Sequence, residues 1–303
     1  MNYLITDVKS LELETLKNLK SSKAINTLRA YKADYKDFAR FCIQNGFKSI
    51  PSEPKVITLY LTHLSKFSKF STLKRRLASI SVIHKLSGHY IDIKNPIITE
   101  NLMGIKRIIG SHQKAKKPIL INDLKLIIDV IDEENEKNKF KIRALILVGF
   151  AGGFRRSELV AIDYEDLDFV TEGVKIFVKR SKTDQSGEGM TKGIPYFSNP
   201  IYCPVVSLKN WIEKSEIRSG KIFDMSDKSV ALNIKKYTAL AGLDATKYSG
   251  HSLRSGFATS TAEMGAKERS IMAMTGHKTT QMVRRYIQEA NLFKNNALNK
   301  IKI

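Results

Sequence analysis

Apolar residues at helical spacing run through the first third of the chain, and this periodicity restricts that part to a helical fold. Between residues 26 and 45 they recur every three or four positions, and Gly46 supplies a stop. Lysines and an arginine fall between them, so one face of this helix is apolar and another is basic. The same pattern predicts three more helices, at about 54–67, 71–88 and 100–110. Four amphipathic helices with basic flanks predict a small bundle.

A polar and basic segment, SHQKAKKP, follows this bundle at residues 111–118. It closes on a proline, which suits a linker at a domain boundary, and its lysines either contact a polyanion or form a solvated tether. We therefore expect an N-terminal helical domain over residues 1–112, a linker over 113–118 and a C-terminal domain over 119–303.

The pattern beyond the linker is mixed. Its predicted elements are helices at about 121–133 and 139–152, a helix starting near Arg155, an extended stretch over 166–180, a strand-like IPYF sequence after a long polar turn, and helices from Val205 onward. The expected fold class is mostly α, with an N-terminal helical domain and a C-terminal α+β domain that carries a small antiparallel sheet.

Charge indicates the kind of partner. The 303 residues include 51 Lys and Arg against 30 Asp and Glu, a formal net charge of +21. The self-repulsion of such a surplus is relieved by a polyanion, for which nucleic acid is the first candidate and an anionic membrane surface the second. A lysine-rich proteome explains part of the surplus equally well.

Other features limit the protein class. The two cysteines, Cys42 and Cys203, lie far apart and form no C-x-x-C pair, so neither a disulfide framework nor a cysteine zinc site is indicated. The first residues lack the apolar core of a signal peptide, and the longest apolar run, Ala144–Phe154, has 11 residues where a membrane span needs about 20. We expect a cytoplasmic protein that associates with the nucleoid and not with a membrane.

Basic and nucleophilic residues cluster in short stretches of the C-terminal domain. These stretches are GGFRRSELVAI (152–162), VKRSKTDQSGEG (178–189), GHSLRSGFA (250–258) and GHKTTQMVRRYI (276–287). Each is unspecific alone, because arginines and lysines are usually solvated and a helical tyrosine is usually packing material.

Together and in this order the stretches resemble the tyrosine recombinase family, the phage-integrase and Cre-like enzymes. Residues 153–159 match the family's G-x-R-x-x-E-L box, a spacing that favours Arg155 over Arg156 as its arginine. The second box is H-x-x-R, then Gly-His, then Tyr nine residues later, and it is matched by His251, Arg254, His277 and Tyr286. The family's hairpin lysine corresponds to Lys182, although Lys179 and Lys192 flank the same hairpin.

The resemblance implies a catalytic role for each matched residue. Tyr286 would attack a DNA phosphate and form a 3′-phosphotyrosyl bond. A tyrosine phenol has a pKa of about 10 and needs assistance at neutral pH, which His251 would give as proton acceptor. The remaining roles are charge neutralisation by Arg155 and Arg254, a further hydrogen bond from His277 and protonation of the departing 5′ oxygen by Lys182. Glu158 lies one helical turn after Arg155, and this spacing favours a supporting salt bridge over a catalytic role.

The family also implies partners and an architecture. The N-terminal part would be a core-binding (SAM-like) domain of four to five helices that clamps double-stranded DNA at short inverted repeats. Four copies would assemble on two sites and exchange a C-terminal helix. The tail at 288–303 offers an apolar stripe for that exchange, composed of Leu292, Phe293, Ala297, Leu298 and Ile301. No metal, cofactor or ATP is expected. The reaction would integrate, excise or resolve mobile DNA.

Three other functions remain open at this stage. A type IB topoisomerase uses the same tyrosine chemistry to relax supercoils, and an accessory protein would bind DNA without cutting it. A metal-dependent nuclease is less favoured, because the motifs contain no carboxylate cluster.

Overall fold

The chain folds into two units, Met1–Lys114 and Ala115–Ile303, each with its own apolar core. The structure is a computed structural model that describes residues 25–111, 115–134, 138–181 and 187–290, together with positions 7, 10–11, 13–14, 17–18, 184 and 297–301. The expected fold class, mostly α with a small antiparallel sheet, is confirmed.

Within residues 25–111 the first unit is entirely helical. Its helices are α1 (Ile25–Gln44), α2 (Pro54–Ser65), α3 (Phe70–Leu86) and α4 (Pro96–Ile109). α2 and α4 each begin with a proline in the first turn, where a missing N–H costs no helical hydrogen bond. The apolar stripes predicted from the sequence form the core, in which Phe38, Cys42, Ile57, Leu61, Leu73, Ile80 and Ile98 are fully buried.

A buried carboxylate joins α1 to α3. Asp34 is 2 % exposed, and it accepts a hydrogen bond of 2.7 Å from the hydroxyl of Ser79. Arg75 and Arg76 from α3 form ion pairs with the same carboxylate. A carboxylate withdrawn from water in this way is stable only while these partners surround it.

His84 on α3 is also fully buried. Its Nε2 accepts the backbone N–H of Ser52 at 3.2 Å, so its Nδ1 carries the proton and donates to the carbonyl oxygen of Ile80 at 2.8 Å. Burial lowers the pKa of His84, which keeps the imidazole neutral. This histidine is therefore a packing residue.

The second unit combines helices with one sheet. Its helices are α5 (Ile121–Glu133), α6 (Lys139–Ala151), α7 (Arg156–Leu159), α8 (Pro204–Ser215), α9 (Asp227–Leu240), α10 (Ser252–Glu263), α11 (Glu268–Thr275) and α12 (Thr280–Ala290). The helix expected near Arg155 is only the short α7. Every residue of α6 from Ala144 to Ala151 is buried, as expected of a helix segment that is apolar on all of its faces.

The sheet corrects the predicted extended stretch over 166–180. That stretch forms two antiparallel strands, β1 (Leu167–Val170) and β2 (Gly173–Val178), because the polar pair at 171–172 makes a tight turn between them. The third strand, β3 (Met190–Pro195), begins before the IPYF sequence and ends inside it. The strand order is β1-β2-β3, with Ile176 opposite Lys192 in the register.

Residues 115–118 lie against the second unit. The backbone N–H of Lys117 donates to the carbonyl oxygen of Lys247 at 2.7 Å, and the ammonium of Lys116 reaches the carbonyl oxygen of Thr246 at 2.5 Å. The predicted linker also includes residues 113 and 114, which lie outside the described residues.

The apolar stripe expected in the tail falls largely outside the described residues, which end at 290 and resume at 297. Among its described positions, Leu298 and Ile301 are 67 % and 57 % exposed. A short 3-10 helix, Ala297–Lys300, contains the first of them.

Candidate active site

A glycine turn at the end of α6 directs Arg155 toward the site. Gly153 has a φ of 53°, in the left-handed region that glycine tolerates without steric cost. A Cβ atom there would also lie 3.0 Å from the ring of Phe257. The turn brings Arg155 to the N-cap of α7, where its side chain is mostly shielded from solvent.

Glu158 holds Arg155 in place through both of its oxygens. Oε2 accepts the backbone N–H of Arg155 at 2.9 Å, and Oε1 accepts the guanidinium Nη1 at 2.5 Å. The ion pair expected from their spacing is therefore present, and the carboxylate side chain is only 2 % exposed. Arg156, the alternative arginine, has a side chain that is 40 % exposed and lies 3.7 Å from Asp227.

Arg254 enters the same region from α10, a helix buried from Ser252 to Ser260. Its Nη1 donates to the carbonyl oxygen of Gly153 at 2.8 Å. Its Nη2 is buried and finds no hydrogen-bond partner within the described part of the chain. Burial and the nearby Arg155 lower the pKa of Arg254 to about 10, so the guanidinium remains charged at neutral pH. An unsatisfied buried donor of this kind suits an anionic ligand.

His251 and Tyr286 meet across two helices. The His251 Nε2 lies 3.4 Å from the Tyr286 hydroxyl oxygen. Tyr286 and Ile287 on α12 pack against a small apolar cluster in which Val283 is fully buried, so the ring is anchored while its hydroxyl reaches the histidine. Burial, followed by the charges of Arg254 and Arg155, lowers the pKa of His251 and favours the neutral, proton-accepting form.

His277 lies beside the tyrosine, with ring centroids 6.2 Å apart. It follows Gly276, which ends α11 with a φ of 62° in the left-handed region. The Thr275 hydroxyl donates to the carbonyl oxygen of Ile271, so it accepts from the His277 Nδ1–H at 2.7 Å. Burial and then Arg254 lower the pKa of His277 to about 4. The unliganded imidazole is therefore neutral, and its Nε2 carries no proton.

The lysines of the hairpin have different surroundings. Lys179 pairs with Asp163 and Asp166 at 2.7 and 2.9 Å. Lys192 on β3 is 1 % exposed and donates to the carbonyl oxygen of Gly152 at 2.8 Å. Lys182, the lysine selected from the sequence, lies outside the described residues.

The structure thus brings Arg155, Glu158, His251, Arg254, His277 and Tyr286 close together in the second unit. Sequence reasoning missed Thr275, and it named Lys192 only as an alternative to Lys182 and not as a buried supporting residue. A signal for Lys192 existed: in the period-two pattern of β3 it shares the inward face with Ile194. Thr275 had no sequence signal, because its role depends on the tautomer of a neighbouring histidine.

The described residues contain no group of three or more His, Cys, Asp or Glu side chains arranged to hold a metal ion. No helix among them is long and apolar enough to cross a bilayer.

Known proteins resemble this chain in sequence. Residues 119–292 match the model of the phage integrase family. The chain is 42 % identical to the "Integrase/recombinase xerD homolog" of Selenomonas ruminantium over 99 % of its own length and 92 % of the relative's. It is 23 % identical to tyrosine recombinase XerC of Staphylococcus aureus, with 92 % of this chain and 91 % of that protein covered.

Solved structures resemble it in fold. A lambda integrase dimer bound to a COC′ core site aligns with a TM-score of 0.61 and 17 % identity, covering 98 % of this chain and 80 % of that one. The XerH recombinase in its post-cleavage complex with a palindromic difH substrate also aligns at 0.61, with 17 % identity and coverages of 81 % and 73 %. At these identities the likeness shows a shared fold.

Fold and relatives together define one class of protein, the enzymes that cut and rejoin DNA at specific sites by means of a tyrosine. The match to the family model covers more than half of the chain, and the 42 % identical relative covers nearly all of it. The chain belongs to the phage integrase family, the tyrosine recombinases.

Proposed function

We propose that this chain is a site-specific DNA recombinase in which Tyr286 is the nucleophile. The observation that carries the proposal is the 3.4 Å approach of the His251 Nε2 to the Tyr286 hydroxyl, beside the guanidinium groups of Arg155 and Arg254. A nucleophile within reach of a base, in a pocket of fixed positive charge, is the arrangement that phosphoryl transfer to a side chain requires.

Cleavage begins when the Tyr286 phenolic oxygen attacks the scissile phosphorus. The new bond joins that oxygen to phosphorus, the phenolic proton passes to the His251 Nε2, and the bond from phosphorus to the 5′ oxygen breaks. A lysine ammonium supplies the proton that the departing 5′ oxygen needs. We assign this role to Lys182, since Lys179 is paired elsewhere and Lys192 is enclosed.

Fixed cations stabilise the charge that develops on the phosphate. The Arg254 Nη2 has no other hydrogen-bond partner among the described residues and is available to a non-bridging oxygen. Arg155 supplies a second guanidinium, whose planar donors suit the same oxygens. His277 adds a further donor only when protonated, and the negative phosphate favours that form by raising its pKa.

The covalent product retains the energy of the broken phosphodiester in its 3′-phosphotyrosyl bond. A 5′ hydroxyl from a second duplex then attacks this bond, releases Tyr286 and completes strand exchange without ATP or a metal ion. We propose that four copies assemble on two sites and exchange their C-terminal tails. The partner is double-stranded DNA with short inverted repeats, carried by a phage, a plasmid or another mobile element in the nucleoid-containing cytoplasm.

The first unit serves in this proposal as the core-binding domain, and the second as the catalytic domain. The net charge of +21 suits a partner held mainly through its phosphates. Binding should therefore weaken steeply as salt is added, with a slope of roughly −0.9 per phosphate contact on a logarithmic plot.

A nicked DNA substrate tests the proposal, because the cut strand diffuses away and traps the covalent intermediate. The wild type should form a protein–DNA adduct in the presence of EDTA, and Tyr286→Phe should form none. The matched control is Tyr196→Phe, which removes a hydroxyl that accepts a hydrogen bond from Lys209 at 2.6 Å. An adduct formed by Tyr286→Phe would assign the nucleophile to another residue.

Two further assays distinguish the recombinase function from the two alternative functions. Relaxation of supercoiled DNA that lacks any specific site would indicate a topoisomerase. Site-specific binding with no adduct from the wild type would indicate an accessory DNA-binding protein. Deletion of residues 291–303, which leaves α12 intact, should impair the pairing of two sites more than binding to one.

A further inference from the structure

Two buried cations hold neighbouring carbonyl groups of the turn that precedes Arg155. Lys192 donates to the carbonyl oxygen of Gly152 at 2.8 Å, and Arg254 donates to that of Gly153 at 2.8 Å. The first comes from strand β3 and the second from helix α10. The path of the backbone into Arg155 is therefore restrained by two separate parts of the second unit.

Lys192 occupies a position where a strand normally places an apolar side chain. It is 1 % exposed, and its ammonium lies 4.2 Å from the centroid of the Phe154 ring. It also lies 3.9 Å from the Oε2 of Glu158. Burial of an ammonium is costly unless opposite charge and acceptors surround it, and all of these groups belong to residues 152–158.

Glu158 connects the ammonium to the proposed chemistry. Its carboxylate binds both the backbone N–H and the guanidinium of Arg155, and it is itself almost fully buried. If Arg155 were the only cation beside Glu158, the carboxylate would neutralise the guanidinium charge that is needed to bind the phosphate. The nearby ammonium of Lys192 offsets that carboxylate charge.

We propose that Lys192 is a positioning residue, which holds the Gly152 carbonyl and offsets the charge of Glu158 so that Arg155 faces the phosphate in a fixed orientation. This inference rests on the proposed recombinase function. It assigns Lys192 no contact with DNA and no proton transfer, since its ammonium is enclosed by Phe154, Gly152 and Glu158.

The electrostatic surroundings agree with that role. Burial, opposed by the charge of Glu158 and assisted by those of Arg254 and Arg155, lowers the pKa of Lys192 to about 7. The charges of Arg254, Arg155 and Lys192 also lower the pKa of His277. A phosphate bound beside these groups favours the protonated lysine, so substrate binding strengthens the restraint on Arg155.

The test compares Lys192→Met with Lys179→Met, which removes an exposed lysine of the same hairpin. Adduct formation is followed on a nicked substrate carrying either oxygen or sulfur at the 5′ bridging position of the scissile phosphate. A thiolate leaves without protonation, so the sulfur substrate rescues only the loss of a general acid. Lys192→Met should lose on the order of 100-fold in cleavage rate on both substrates, as expected when a catalytic group is misplaced. Lys179→Met should stay near wild type, and Lys182→Met should be rescued by sulfur.

A second comparison asks whether Lys192 acts through Arg155. In an Arg155→Ala background, Lys192→Met should have little further effect, because residues that act as a unit are not additive. Lys192→Gln, which retains a donor but not the charge, should keep more activity than Lys192→Met. Rescue of Lys192→Met by sulfur, or full additivity with Arg155→Ala, would overturn the positioning role.

Hydrogen exchange provides a readout that needs no DNA. The Arg155 amide is bonded to Glu158, and its exchange should be faster in both Lys192 variants while the helices of the second unit stay protected. Unchanged exchange at residues 154–159 would also overturn the proposal. If the wild type forms no adduct at all, the proposed recombinase function is wrong. The hydrogen exchange of residues 154–159 still decides, independently of that result, whether Lys192 restrains the turn before Arg155.

Discussion

The Nε2 of His251 lies 3.4 Å from the hydroxyl of Tyr286, although the two residues are 35 positions apart in the sequence. His251 is held at the start of α10, and Tyr286 is anchored through its ring on α12. Their contact joins a residue that binds protons near neutral pH to one that ordinarily keeps its proton there.

Replacement of His251 by Gln should slow cleavage by roughly 100-fold to 10,000-fold, the usual contribution of a general base. The wild-type rate should also fall with decreasing pH, because the pKa of His251 is lowered and protonation below that value removes the base. His251→Gln should lose this acid-side decrease. Single-turnover adduct formation at a series of pH values measures both effects, and an unchanged acid limb in the variant would contradict the assignment.

Arg155 and Arg156 should differ sharply when each is replaced by alanine. Arg155 is mostly shielded from solvent and is held by Glu158, so Arg155→Ala should reduce the cleavage rate by about 100-fold to 1,000-fold, as loss of a preorganised charge donor does elsewhere. Arg156 is partly exposed beside Asp227, and Arg156→Ala should change the rate only slightly. Rates measured at saturating protein separate cleavage from binding. A larger loss for Arg156→Ala would show that Arg156, and not Arg155, is the arginine of the motif.

His277 should be replaceable by a residue that carries a permanent N–H donor. The unliganded imidazole is neutral, with a pKa of about 4, and its proton is on the Nδ1 that bonds Thr275. His277→Trp should therefore retain more activity than His277→Phe, which has a ring and no donor. The ratio of the Trp variant's rate to the wild-type rate should rise with pH, since only the histidine must gain a proton to donate. A flat ratio, or equal activity of the two variants, would assign His277 to packing.

Asp34 should be the most sensitive polar residue of the first unit. Asp34→Ala removes the buried acceptor of Ser79 and the carboxylate that Arg75 and Arg76 share, and it should lower the free energy of unfolding of that unit by roughly 1–3 kcal/mol. Hydrogen exchange of α1 and α3 in the full chain measures the change locally. Glu100→Ala, at an exposed position of α4, is the control and should cost little. Protection that survives in Asp34→Ala would show that the apolar core alone holds the helices together.

Much of the fold was predictable because it depends on local periodicity. The helices over 25–44 and 121–133 follow apolar stripes read directly from the sequence, and glycine or proline marks several of their ends. The sheet was less predictable. A tight turn inside 166–180 looks like continuous strand when only residue propensities are considered, and the start of β3 depends on its pairing with β2.

The sequence alone determined the chemical groups of the candidate site, because two arginines, two histidines and a tyrosine lie in motifs whose order resembles that of the tyrosine recombinases. Only the tertiary structure decided how those groups are supported. The Gly152–Gly153 turn, the buried Lys192 and the tautomer of His277 all depend on contacts between elements far apart in the chain. The physical reason is that side-chain spacing is a local property, whereas burial and charge compensation depend on what the folded chain places around each group.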